Sequence, residues 1–458
     1  MGLFARADPE RDTAIMLGDP RKAIFKTVIP FLISLVIAQV NMIADVAWCS
    51  GLGSDSVSGI QAVNPLFWVI FDVGLGIGLG CNVIIARRIG AGDRDGAKRI
   101  IAQGTVLSIG IALALAPIIY LLISPMMQWM GAGELTEIGV MYLTPIIVCN
   151  VFQVLSPTLS GFLRGEGAAT RSNIAMIVGT VANIIIDPIL IYGLNMGVLG
   201  AGIATALCSV ISTVVMIYFY LSHRTTIPMS FRGYRFDTGD VKEIMYLGAP
   251  KMTEMFLMDI LDAMNRTFLI QCAGIDAITV FSVPFRLVIF AVMIPNSFAL
   301  SLTPVASANL GAKRPENSLA AYNVCLKYGI TISIVLMIVE IVFAQYLILP
   351  FTLSDSMLSL EGAMADTLRV EAVLIPAMGL AFISNAMLQS MRKPMLSLAV
   401  TFLRTGLTTL SFACLCGTTV PIMCVGMVAA SVATAILAFC LTRMKINDLI
   451  RANSPSSS

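Results

Sequence analysis

Long apolar runs separated by short polar breaks occupy most of this chain. A helix needs about 20 apolar residues to cross a bilayer. Twelve stretches reach that length: 24–46, 57–85, 100–123, 141–161, 173–194, 201–221, 244–272, 278–306, 320–349, 370–389, 394–416 and 421–441. None shows the short period-two alternation of a membrane β-barrel strand. The pattern predicts an all-α polytopic membrane protein with twelve transmembrane helices.

The charges between the runs test that count. Lys and Arg gather in every second loop, for example Arg87, Arg88, Arg94, Lys98 and Arg99, then Arg164 and Arg171, then Arg224, Arg232, Arg235 and Lys242. The intervening loops carry none, and Arg369, at the mouth of the tenth run, is the one exception nearby. Basic loops stay on the cytoplasmic side, so both termini are expected in the cytoplasm, and the number of spans is even.

The longest basic loop falls at the midpoint, and a weak repeat crosses it. Ile29-Pro30 is matched by Ala249-Pro250, and Ile89-Gly90-Ala91 by Leu310-Gly311-Ala312. Two pseudo-symmetric six-helix lobes in the same membrane orientation follow. The expected order is a cytoplasmic segment over 1–23, an N-lobe over 24–221, an inter-lobe loop over 222–243, a C-lobe over 244–441 and a cytoplasmic tail over 442–458, disordered from Arg451.

Composition narrows the function classes. The chain is 57% hydrophobic and only 12% charged, where a soluble domain carries about 25% charged residues. A net charge of +2 without a basic stripe gives nucleic acid no footing. The single His, His223, lies in a loop, so His-based metal sites and nucleophilic triads lack their material and no enzyme is expected. The ten Cys are scattered through apolar runs, and the closest pair, Cys414-Leu-Cys416, lacks the two-residue spacer of a zinc or redox motif. They read as small buried hydrophobes rather than as a disulfide framework.

Against this background, polar residues inside the runs stand out, because an intramembrane ionisable group is costly and marks a site. Asp45 comes about 20 residues into the first span, Asp187 about 14 into the fifth and Thr205 about 5 into the descending sixth, which places all three in the outer half of the membrane at about 1.5 Å per residue. Asn183 and Asp187 stand at i and i+4 on one helix face, and Pro188 frees the carbonyl of Ile184 beside them. Two carboxylates, an amide and a hydroxyl make an oxygen-rich cation site. The second lobe does not repeat it: Asn265 and Phe412 fall where Asp45 and Asp187 stand in the first. The seventh span offers Glu254, Asp259, Asp262 and Arg266 instead, with Asp262 and Arg266 spaced as an ion pair and Met252, Met255, Met258 and Met264 clustered around them. Glu254 and Asp259 are candidates to face a cationic substrate or carry a proton. Asp72, Arg286 and Glu340 are further charges within the spans.

Several segments in order resemble one family. They are Ile29-Pro30 through Ala44-Asp45, Ala86-Arg87-Arg88-Ile89-Gly90-Ala91-Gly92-Asp93-Arg94, Gly161-Phe162-Leu163-Arg164-Gly165-Glu166-Gly167, Ala182-Asn183 through Asp187-Pro188, and Gly200-Ala201-Gly202-Ile203-Ala204-Thr205-Ala206. The chain resembles the multidrug and toxic compound extrusion (MATE) transporters over essentially its whole length. The resemblance implies a multi-pass plasma (inner) membrane antiporter, able to act as a monomer, that exports cationic or amphipathic organic compounds in exchange for Na⁺ or H⁺, without a bound cofactor. It also implies that Asp45, Asn183, Asp187 and Thr205 hold the coupling cation. Members with acids in the seventh and tenth helices are matched only approximately by Glu254 and Asp259, and Glu371 is read as lying near the outer end of the tenth span. A lipid-linked oligosaccharide flippase of the same wider superfamily and a non-transporting membrane scaffold are the alternatives. The acid-rich spans favour neither.

Overall fold

The computed structural model describes residues 14–129, 132–274, 276–352 and 358–453. The helices within them are joined by short loops. Among the described residues, ten helices are long and apolar enough to cross a membrane, and a bent pair, Gly133–Val148 with Asn150–Gly165, adds an eleventh span. Thr238–Ala273, 36 residues long and carrying the charges noted above, brings the number of spans to twelve. The spans are, in order, Pro20–Ser50, Ser54–Gly90, Arg94–Trp129, the bent pair, Ala169–Gly193, Gly197–Leu221, Thr238–Ala273, Asp276–Gly311, Pro315–Val342, Glu361–Ser390, Pro394–Cys414 and Val420–Asn453.

Local chemistry explains the irregular spans. The fourth bends by 57° at Cys149, one turn after Pro145, and Asn150 donates its amide to the Ala112 carbonyl of the third span at 2.8 Å. The tenth span opens at residues 372–373 because Pro376 cannot return a hydrogen bond to the Ala372 carbonyl. That span begins at Glu361 rather than near 370, which corrects the position of Glu371: it stands ten residues after the start of the span, well away from its end. The twelfth helix continues to Asn453, so Arg451 is helical and not part of a disordered tail. Residues 454–458 lie outside the described residues.

The chain divides into two compact units. The first holds Ile29–Met252, and the second holds Pro20–Val28 together with the described residues from Thr253 onward. In the first unit the second span carries Gly74-Leu75-Gly76-Ile77-Gly78-Leu79-Gly80, with alternate glycines facing different partners. A Cβ on Gly74 or Gly78 would meet the backbone of Val154 or Pro157, and one on Gly76 or Gly80 the carbonyls of Gly248 or Ile244. Small residues let membrane helices approach to backbone contact, and here one helix does so on two sides.

The segment between the sixth and seventh spans is bound onto the first unit. Arg88 donates to Asp240 at 2.8 Å and to Glu243 at 3.3 Å, and Tyr234 donates its hydroxyl to Gln103 at 2.9 Å. Glu166, fully buried, receives the backbone N–H groups of Thr226 and Ile227 at 3.0 and 3.2 Å and the Tyr220 hydroxyl at 2.6 Å. Burial pushes the Glu166 carboxyl up to about 8, outweighing the pull of Tyr220, Ile227 and Thr226 in the other direction. A carboxyl with a raised folded-state pKa binds its proton more tightly in the folded protein, so stability falls as pH rises between the unfolded value near 4.5 and about 8. Glu166→Gln should flatten that dependence, by up to about 1.4 kcal/mol per pH unit within the window. Thermal unfolding of both proteins across the range measures it; parallel curves would show that Glu166 is ionised when buried.

In the second unit Phe25, on the opening turns of the first helix, sets its ring edge-on to Phe298 and Tyr328 at 6.0 and 4.9 Å. Tyr322 and Ser384 share a buried hydrogen bond of 2.9 Å. A disulfide joins Cys272 to Cys416, with Cα atoms 5.0 Å apart. This corrects the reading of the cysteines as uniformly buried hydrophobes: two are cross-linked, and Cys414 and Cys440 are exposed. Cys272 lies in the last turn of the seventh span and Cys416 just after the eleventh, so the pair shares one membrane face, the one without basic loops.

Candidate functional site

The first unit assembles the candidate cation residues. Asp45 stands five residues before the end of its helix at Ser50, Asp187 six before Gly193, and Thr205 eight after Gly197, so all three lie about 7–12 Å from the helix ends on the non-basic face. The carboxyls of Asp45 and Asp187 lie within electrostatic reach of each other. Asp187 is buried, while Asp45 is half-buried.

Each acid is set by its own helix. Asn41, one turn before Asp45, donates its amide to the Asp45 carboxyl at 3.2 Å. Asn183 is buried one turn before Asp187, and its Nδ2 has no hydrogen-bond partner among the described residues. Oδ1 of Asp45 is likewise without one. After Asp187 the α-helix gives way to a π turn over Ile189–Gly193. Pro188 begins that change, since its ring nitrogen cannot continue the hydrogen-bond ladder, and such turns gather at functional sites. Tyr192, on the π turn, donates its hydroxyl to the Trp48 carbonyl and so ties the end of the fifth span to the first.

Thr205 joins through a neighbour. Its hydroxyl donates to the Ala201 carbonyl at 3.1 Å beside Tyr142, which lies within electrostatic reach of both acids. Gly202 makes this possible, because a Cβ there would sit 2.2 Å from the Tyr142 carbonyl oxygen. Gln153, buried behind, donates to the Thr205 carbonyl at 3.4 Å and accepts the Ser209 hydroxyl. The arrangement brings two carboxyls within electrostatic reach of each other, with an amide and two hydroxyls on their flank. It can bind a proton between the acids, or a small cation in its place.

Asn41 and Tyr142 were not singled out in the sequence. Asn41 carries the same i,i+4 relation to Asp45 that Asn183 has to Asp187, so its spacing was the available signal. Tyr142 had none, since an aromatic residue in an apolar run reads as core.

Glu254 and Asp259, in the second unit, are not brought together. Glu254 is buried and accepts the Thr401 hydroxyl at 3.2 Å, in a small cavity lined also by Asn385, Phe382 and Arg404. Asp259, five residues on, is exposed on another face. The side chains of Asp262 and Arg266, expected to pair, lie outside the described residues. Met252, Met255 and Met258 are half-buried and Met264 is exposed. Asp72 and Glu340 are buried within their units, and Arg286 is exposed.

A family model, MatE, matches residues 30–189 and 250–415. The multidrug export protein MepA of Staphylococcus aureus is 25% identical over 375 residues, which cover 81% of each chain. Among solved structures, the outward-facing conformation of a multidrug resistance MATE family transporter of the MOP superfamily superposes with a TM-score of 0.91 at 27% identity, over 97% of this chain and 99% of that one. A MOP superfamily transporter from Pyrococcus furiosus, described as having a binding pocket of reverse polarity that suggests a different function, matches with the same score, identity and coverage.

Proposed function

The chain belongs to the MatE family of multidrug efflux transporters, and on that premise we propose that it is a secondary antiporter exporting cationic or amphipathic organic compounds in exchange for H⁺ at Asp45 and Asp187. The convergence of these two carboxyls, within electrostatic reach of each other in the outer part of the first unit's helices, carries the proposal. Two ionised carboxylates in contact repel, and one proton between them turns repulsion into a hydrogen bond. Ion uptake then means adding that proton, or placing Na⁺ where it sat, and loss of either separates the first span from the fifth at this depth. Alternating access couples that movement to release of the compound. Asn183, with a free amide beside the pair, serves as the hydrogen-bond donor for the ionised state, and Tyr142 relays the change to Thr205.

The membrane orientation belongs to the same reading. The basic loops put both termini in the cytoplasm, and the disulfide then lies on the outer face, where thiols are oxidised.

Purified protein in vesicles loaded with an ethidium-like dye tests the exchange, with pH and Na⁺ gradients imposed separately. A pH gradient alone should drive dye movement. Movement driven by Na⁺ alone would replace the proton with Na⁺ at the same pair, and no movement under either gradient would remove the antiport reading.

A further inference from the structure

The second unit gathers two cations on one aromatic ring. Arg21, in the first turn of the segment Pro20–Val28 that belongs to this unit, holds its guanidinium carbon 5.5 Å from the centroid of the Tyr328 ring. Lys327, on the ninth span, holds its ammonium nitrogen 5.8 Å from the same centroid. Phe25, one turn after Arg21, sets its ring edge-on to Tyr328 at 4.9 Å and keeps the two helices together there. Arg21 and Lys327 are exposed, and the exposed Lys22 and Lys26 add positive charge to the same turns of the first helix. Lys327 forms no ion pair among the described residues.

The ninth span shows where this cluster stands. From Lys327, the residues Thr331, Ile334, Ile338 and Val342 follow at steps of three and four along one helix face, and all four are exposed. The Thr331 hydroxyl donates back to the Lys327 carbonyl, so it leaves no unmet polar demand on that face. An exposed apolar stripe on a membrane span lies against acyl chains, and a lysine at its end reaches the headgroup level. Lys327 therefore heads a lipid-facing track, at the end of the span that follows the basic loop of Lys313 and Arg314.

A ring holds an exposed cation only weakly, and two charges of one sign gathered on it repel. An anion within reach of both turns that repulsion into attraction. Basic pockets between membrane helices hold the phosphates of anionic lipids in this way. The stripe selects among phosphate sources, because it starts at the cluster and offers hydrocarbon a surface that free phosphate does not use. A choline headgroup brings its own cation and cancels the advantage. We propose that Arg21 and Lys327, set by Tyr328, bind the phosphate of an anionic phospholipid whose acyl chain lies along the exposed face of the ninth span. This site does not involve Asp45 or Asp187 and stands whether or not they couple transport.

Native mass spectrometry of the full chain in detergent, with phosphatidylglycerol or phosphatidylcholine added, tests it. Phosphatidylglycerol should be retained in preference to phosphatidylcholine. Lys327→Gln and Arg21→Gln should each weaken that retention by about fivefold, the worth of one cation at a membrane surface. Tyr328→Leu keeps every charge but removes the ring, and should weaken it as well. Lys445→Gln is the control: that lysine, on the twelfth span, is paired with Asp448 at 3.7 Å, and its loss should change nothing. Equal retention of the two lipids, or retention unchanged in any of the three site variants, overturns the proposal. A loss in Lys445→Gln equal to that in Lys327→Gln also overturns it, by showing only the general charge of the basic face. Displacement of the lipid by excess inorganic phosphate overturns it too, by assigning the cations to free phosphate. Should Tyr328→Leu not fold, the two Gln variants at exposed positions decide against the control. Dye transport is not the readout, so failure here is distinguishable from failure of the antiport reading.

Discussion

Asp45→Asn and Asp187→Asn are each expected to reduce ion-driven dye efflux to the level of empty vesicles while leaving the protein folded. Asn keeps the volume of Asp and can donate to the remaining carboxyl, so the contact between the first and fifth spans survives. What it cannot do is take up or release a proton. The pair is then locked as one fixed charge hydrogen-bonded to one amide, with no second state to switch to. Exchanging one neutral-donor hydrogen bond for another should alter stability by about 1 kcal/mol or less, so thermal unfolding should stay close to the wild type. Efflux at the wild-type rate in either variant would remove the pair from coupling. Asn41→Ala is the graded control: it deletes a donor to Asp45 without touching either acid, and should weaken exchange without abolishing it.

The second large effect is on stability. A Cβ added to Gly161 would lie 2.2 Å from the Gly78 carbonyl oxygen, 2.5 Å from its carbon and 2.6 Å from its Cα. All three are backbone atoms, so no side chain can rotate away and the second and fourth spans must separate. Overpacking typically costs 1–3 kcal/mol even where side chains can adjust, so Gly161→Ala should destabilise the protein by about 3 kcal/mol or more. Gly110→Ala is the matched control, since nothing lies within 4 Å of the position its Cβ would take. Thermal unfolding in detergent should separate the two clearly; equal unfolding temperatures would mean that the helices slide apart without cost.

The spans were readable in the sequence because lipid removes alternatives: a buried backbone must satisfy itself, so long apolar runs become helices. The candidate site was readable for the same reason, since Asp45 and Asp187 are conspicuous where charge is costly. Helix ends were less so. The tenth span opens with Glu361, Asp366 and Arg369, polar enough to pass for loop, and this concealed the depth of Glu371. Burial around a helix was also invisible, because Glu254 and Asp259 share a helix but their exposure depends on which neighbours cover each face. The pairing of Cys272 with Cys416 spans 144 residues and is set by the tertiary packing of the seventh and eleventh spans, which no local pattern records.

That cross-link also imposes an order on biosynthesis. In the proposed orientation its two cysteines reach the same membrane face only after the seventh span and then the eleventh have been threaded across, so the bond cannot close until the four spans that follow the seventh are in place. At a synthesis rate of 5–20 residues per second, the 144 intervening residues separate the arrival of the two thiols by roughly 7–30 s. During that interval Cys272 waits as a free thiol, and the closed bond marks a chain whose eleventh span has been inserted the right way round.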